Sequence, residues 1–279
     1  MPRRLLHVPP LIALAGLAAA AALLVAACAT TTEKGSVGVE RRQFLLVSSE
    51  EMNQSAAVAY QKVIKDQGTK GNVNRDPQQV ERVRRIAARL TPQTGVFRKD
   101  APGWKWEVNV ITSPEINAWC MPGGKIAFYT GILEKLQLTD DEAAAIMGHE
   151  ISHALREHGR ERASQQLATG VGASLVGAAL GIGQTGADLA GLVGQVTFLL
   201  PYSRLHETEA DRMGVELAAR AGYDPRAAIV LWQKMAKMSG GGGLPALLST
   251  HPSNEERIKD LGVFAELVMP LYEQARTQK

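Results

Sequence analysis

The chain has 279 residues, 45% of them hydrophobic and 21% charged, with 31 basic and 28 acidic side chains. That composition supports a sizeable core and excludes disorder as the default. Near-neutral charge gives no basic face for nucleic acid, and two cysteines are too few for a disulfide framework.

Residues 1–27 read as a secretory signal, with Arg3 and Arg4 at its start, an apolar run over 11–25 and a small-residue cleavage site at Ala26 and Ala27. The run Leu24-Val25-Ala26-Ala27-Cys28 resembles a bacterial lipobox, which implies that Cys28 is lipidated and that Ala29 after it suits outer-membrane sorting. Residues 28–40 lack apolar periodicity and are expected to be a lipidated N-terminus and tether, with the folded domain over 41–279. Cys120 is then a lone thiol, expected to behave as a small buried hydrophobe.

Apolar residues at helical spacing predict amphipathic helices over 52–65 and 77–90, the second presenting Val80, Val83, Ile86, Ala87 and Leu90. Alternation predicts a strand over 104–111 and another over 125–129, after a Pro122-Gly123-Gly124 turn. Thr139 and Glu142 form a capping box that opens a helix running to about His158. Segment 167–200 is rich in Gly, Ala, Leu and Val. Each of its apolar halves, 171–182 and 189–200, would reach only about 18 Å as a helix against a hydrocarbon core of about 30 Å. Two buried or lid-like helices are expected there rather than a membrane hairpin. Gly240 to Gly243 read as a linker, and Ser253-Asn254-Glu255-Glu256 as a second capping box that begins the last helix.

Inside the capped helix stands His149-Glu150-Ile151-Ser152-His153. Histidines four residues apart project from one helix face within reach of one tetrahedral metal, and Glu150 sits beside them. Such a metal acidifies water, and Glu150 could take the proton as the water attacks a peptide carbonyl and pass it to the leaving amine. The flanking Ile146, Met147, Ile151 and Ala154 argue against a chance motif on a surface helix. Candidates for a third protein ligand are His158, His206, Glu207 and Glu209. No glycine turns the chain back after His153, because Arg156 stands where an extended motif carries Gly. His158 is therefore expected to be a solvated histidine at the helix end. Glu207 and Asp211 share a helix face, so one can ligate while the other orients a ligand histidine; Glu209 is turned about 200° away.

H-E-x-x-H followed by E-x-x-x-D resembles the M48 metallopeptidases, a gluzincin group. Asn117-Ala118-Trp119 with Pro122-Gly123-Gly124, Tyr202-Ser203-Arg204 and Thr250-His251-Pro252 with Arg257 resemble further pieces of that family, Trp119 replacing its Phe. The likeness spans 117–261. It implies a mainly helical α+β, zincin-like domain with a small β-sheet lining the cleft, and one zinc ion held by His149, His153 and Glu207. Asp211 would support the ligands, Glu150 would be the base, and His251 with Arg257 would stabilise the oxyanion. The strand after Gly124 would be a sheet edge to which an extended substrate adds. The same resemblance implies a periplasmic endopeptidase, lipid-anchored at the inner face of the outer membrane, acting on misfolded or unassembled envelope proteins, with envelope assembly machinery as a candidate partner. The alternative is a chaperone-like assembly factor with a structural metal site, against which an intact Glu150 argues.

Overall fold

The computed structural model describes residues 28–178, 186–238, 245–252 and 255–277. The expected signal (1–27), the glycine linker at 240–243 and the Ser253-Asn254 cap lie outside the described residues.

The described part begins with two short antiparallel strands, β1 (Cys28–Ala29) and β2 (Gln43–Phe44). Residues 28–40 do not form a free tether, because Thr32, Val37 and Val39 are buried against the body. The boundary expected at Arg41 therefore does not separate that segment from the fold.

Helix α1 (Ser49–Thr69) is capped by Ser48 with Glu51 in a reciprocal box, and α2 (Pro77–Leu90) by Asp76 with proline in its first turn. The predicted face of α2 is the buried one. Two 3-10 turns lead to the sheet of β3 (Glu107–Ile111), β4 (Ala118–Met121) and β5 (Lys125–Tyr129). Its order is β3-β5-β4, with β5 parallel to β3 and antiparallel to β4. Gly123 and Gly124, at φ of 76° and 80°, make the β4–β5 turn in a region open to few other residues. The strand after Gly124 is thus the centre of the sheet, and the strand before it, β4, is the edge.

After the short α3 (Thr130–Lys135) comes α4 (Asp140–Leu155), opened by the expected Thr139–Glu142 box and buried on nearly every side. It packs most closely on α7 (Arg204–Arg220), with β4, α8 (Ala227–Met238) and α2 around it. Helix α4 ends at Leu155, three residues short of expectation. Glu157 takes a left-handed φ of 53°, and α5 (His158–Ala178) starts immediately after it. Helix α6 (Gly186–Phe198) lies along α1. No described helix is long and apolar enough to cross a membrane. The short α9 (Ala246–Thr250) and the long α10 (Glu255–Thr277), which packs on α7, complete the fold.

Candidate metal centre

Helix α4 presents His149 and His153 to α7, and Glu150 beside them toward His251 and β4. Ser203 caps α7 by accepting from the His206 N–H, which sets Glu207 in its first turn and Asp211 one turn later. Two glycines let these helices touch. A Cβ on Gly148 would stand 2.8 Å from the Gly214 carbonyl oxygen, and one on Gly214 would stand 2.8 Å from the His149 nitrogen. Ligand atoms of His149, His153, Glu207 and His251 consequently lie within 4.8 Å of one another, all in buried residues.

The hydrogen bonds around this cluster fix its protons. Asp211 Oδ1 lies 2.9 Å from His149 Nδ1, and a carboxylate can only accept, so that nitrogen carries the proton. Burial favours a protonated Asp211, but Arg257 and His149 outweigh it and hold the carboxyl below its usual range. His153 Nδ1 meets His158 Nδ1 at 2.9 Å, and His158 Nε2 meets Glu209 Oε2 at 2.9 Å. Burial pushes the pKa values of His153 and His158 well below the ordinary histidine range, so both rings are neutral. Glu209 accepts from His158 Nε2–H, His158 Nδ1 accepts from His153 Nδ1–H, and His153 Nε2 keeps its lone pair. The Nε2 atoms of His149 and His153 face each other at 3.1 Å.

That arrangement fits a zinc ion. Two nitrogens bound at about 2.0–2.1 Å to one tetrahedral zinc stand about 3.3 Å apart. Glu207 Oε1 is 3.4 Å from His153 Nε2, and its Oε2 is 3.6 Å from His149 Nε2. Burial raises the Glu207 carboxyl, yet the facing histidines, His251 first, outweigh it and hold it well below its ordinary range, so it is an anion. Glu150 is buried with no hydrogen-bond partner on Oε1 among the described residues, and burial pushes its pKa up.

His251 and Arg257 join the cluster from beyond α9. His251 Nδ1 donates to Glu207 Oε1 at 2.9 Å, and its Nε2 lies 3.5 Å from Glu150 Oε1. Burial works against charge on His251, but Glu207 and Glu150 outweigh it and raise its pKa. Arg257 is buried, with its guanidinium over the Trp232 ring. Its Nε and Nη2 donate to the two Asp211 oxygens at 2.8 Å, while Nη1 lies 2.7 Å from the Pro252 carbonyl oxygen and 2.8 Å from Glu207 Oε2.

Two further expectations are corrected here. His158 is fully buried, because the left-handed turn at Glu157 folds it back beneath His153, and that turn is held by Ser49, Arg98 and Arg160 on the Glu157 carboxylate. Glu209, the alternative ligand, points away from the cluster to His158, Arg156 and Arg41. Sequence reasoning also missed Trp232, under the guanidinium of Arg257 at 4.1 Å, and the packing of Tyr202 on His153 at 4.0 Å. Cys120 is buried on β4 as expected, and burial pushes its thiol well above the ordinary range.

Beside Glu150 a cavity of about 50 Å³ is lined by Trp119 and Cys120 of β4, Phe198 of α6, Tyr202 and His251. The edge strand thus borders the cluster.

The sequence matches peptidase family M48 over residues 77–263. It is 40% identical over 160 residues to the mitochondrial metalloendopeptidase OMA1 of Arabidopsis thaliana, covering 56% of this chain and 31% of that protein. To OMA1 of Schizosaccharomyces pombe it is 33% identical over 226 residues, 79% of this chain and 63% of that one. To the metalloprotease LoiP of Escherichia coli it is 27% identical over 178 residues, 63% and 69% of the two chains. The chain thus spans less than two thirds of either OMA1 protein. The match covers both helices of the cluster and the strands beside them, and the chain belongs to peptidase family M48.

Proposed function

We propose that this chain is a zinc-dependent endopeptidase in which His149, His153 and Glu207 hold the ion and Glu150 is the general base. The observation that carries the reading is that the Nε2 atoms of His149 and His153 face each other at 3.1 Å beside an anionic Glu207, with Glu150 Oε1 buried and, among the described residues, without a hydrogen-bond partner. When bound, zinc supplies a Lewis acid that lowers the pKa of water and polarises the scissile carbonyl. Glu150 takes the proton of the attacking water and returns it to the leaving nitrogen; its raised pKa strengthens it as a base. His251, donating from Nδ1 to Glu207 and with Nε2 3.5 Å from Glu150 Oε1, stands where it can neutralise charge on the carbonyl oxygen. Arg257 holds Asp211 and Glu207 in place. An extended substrate pairs with the free edge of β4, so recognition is through main chain and favours unfolded proteins.

The test is hydrolysis of an unfolded model protein by wild type and Glu150→Gln with zinc content measured in both. The variant should lose at least about 100-fold in kcat while keeping its zinc. Equal activity would remove Glu150 from the mechanism. A zinc-loaded wild type that cleaves nothing would favour the chaperone-like assembly factor with a structural metal.

The lipobox-like run ending at Cys28 supports a periplasmic enzyme, lipid-anchored at the inner face of the outer membrane and acting on misfolded or unassembled envelope proteins. Cys28→Ser should move the protein from the membrane fraction to the soluble one, and its retention in membranes would sink the anchor.

A further inference from the structure

The described N-terminal strand segment, which precedes the family match, reaches the metal ligand His153 through three buried or half-buried side chains, Arg41, Glu209 and His158. Arg41 donates from Nε to Glu209 Oε1 at 2.9 Å and from Nη2 to Oε2 at 3.1 Å, while its Nη1 and Nη2 donate to Glu161 at 2.7 Å each. Arg156 adds a contact to Glu209 Oε1 at 3.3 Å. Glu209 is therefore gripped from two sides, with Oε2 aimed at His158 Nε2. The His158 ring is fully buried and stacked on His206 at 4.4 Å, and His206 is itself tied to Glu161 at 3.1 Å. Its remaining nitrogen meets His153 Nδ1 at 2.9 Å, so both ring nitrogens are engaged.

We infer that His158 is a positioning residue for the metal ligand His153, locked by Glu209, and that Arg41 extends the metal centre into the N-terminal strap. The inference rests on the reading of His153 as a ligand. Its logic is one of tautomers. An imidazole ligates through a nitrogen that carries no proton, and which nitrogen that is depends on the partner of the other. A carboxylate on His158 Nε2 requires the proton there, leaving His158 Nδ1 able only to accept. His153 must then place its proton on Nδ1 and offer Nε2 toward His149 and Glu207. Asp211 does the same for His149 directly, so the two histidine ligands are oriented by different devices: one by a carboxylate, the other by a carboxylate acting through a second imidazole. Neither His158 nor Arg41 touches the reacting atoms.

The test measures zinc affinity of the full chain by competition with a chromophoric chelator, for wild type, His153→Ala, His158→Leu, His158→Asn and Arg41→Ala, each checked for native circular dichroism. His158→Leu removes the acceptor and should weaken zinc binding by about 10–100-fold. His158→Asn puts an amide oxygen near the position of Nδ1 and should recover affinity to within about threefold of wild type. Arg41→Ala, at a half-buried site that can lose its side chain without unfolding the core, should weaken binding by about 3–10-fold. Wild-type affinity in both His158→Leu and Arg41→Ala would overturn the inference, as would an Asn variant as weak as the Leu one, which would mean that the ring's packing and not its acceptor matters. If His158→Leu does not fold, the Asn and Arg41 variants decide alone. Failure of the underlying reading looks different: zinc binding that survives His153→Ala would remove His153 as a ligand and the inference with it.

Discussion

Asp211 follows Glu207 by one helical turn on α7, so a single face carries one carboxylate that faces the Nε2 atoms of His149 and His153 and one that fixes a histidine proton. Arg257 ties the two together, neutralising part of the charge that α7 brings into a buried site. This part of the centre was legible in sequence because it is local: H-E-x-x-H and E-x-x-x-D are spacings on single helices. His158 was not legible, because its position depends on Glu157 adopting a left-handed φ of 53° without being glycine. What stabilises that conformation is remote in sequence, namely Ser49 and Arg98 on the Glu157 carboxylate. Reading along one helix put His158 in solvent; the turn puts it in the core. The partners of Arg257 were not legible either, since Asp211, which takes two of its guanidinium donors, lies 46 residues away.

Between elements, the decisive contact is the crossing of α4 and α7 at Gly148 and Gly214. Each glycine faces backbone of the other helix at 2.8 Å from where a Cβ would sit, and backbone cannot rotate aside as a side chain can. Replacing Gly148 by Ala should therefore force the helices apart, at a cost of about 1–3 kcal/mol and about 2–4 °C of melting temperature per kcal/mol in a chain of this size. Because the displaced backbone carries His149, zinc affinity should fall with it. Gly191, on α6 with open space around it, is the control: Gly191→Ala should leave stability unchanged or raise it by about 0.5–1 kcal/mol. Thermal unfolding of the two variants decides, and equal behaviour would mean that the crossing tolerates a methyl group. The helices and their caps were readable from periodicity and capping boxes, whereas the crossing and the order of the sheet were not. Strand order in particular depends on β3 pairing in parallel with β5 across a long connection, which leaves β4 and not β5 at the edge beside Glu150.

At the scale of the whole molecule, the N-terminal strap is held to α5 and α7 by charge as well as by burial of Val37 and Val39. Glu161 is the anchor on α5: burial pushes its carboxyl up, but hydrogen bonds from Arg41, His206 and Gln43 outweigh burial and hold it at about 2, against an ordinary 4.5. A carboxyl depressed in the folded state binds its proton more readily once unfolded. Its contribution to stability is therefore complete above pH 4.5 and fades as pH falls toward 2. Glu161→Gln should accordingly lower stability to urea at pH 7 by about 1–3 kcal/mol, the range expected when a half-exposed partner such as Arg41 loses a buried carboxylate. At pH 3 the gap between variant and wild type should be clearly smaller, because wild type has by then lost part of the same interaction. A gap of equal size at both pH values would mean that the strap is held by packing, with the Arg41–Glu161 pair contributing no net attachment. A gap that closes with acid would tie the attachment of residues 28–47 to the ionised form of one carboxylate, and through Arg41 and Glu209 to the histidines beneath the metal cluster.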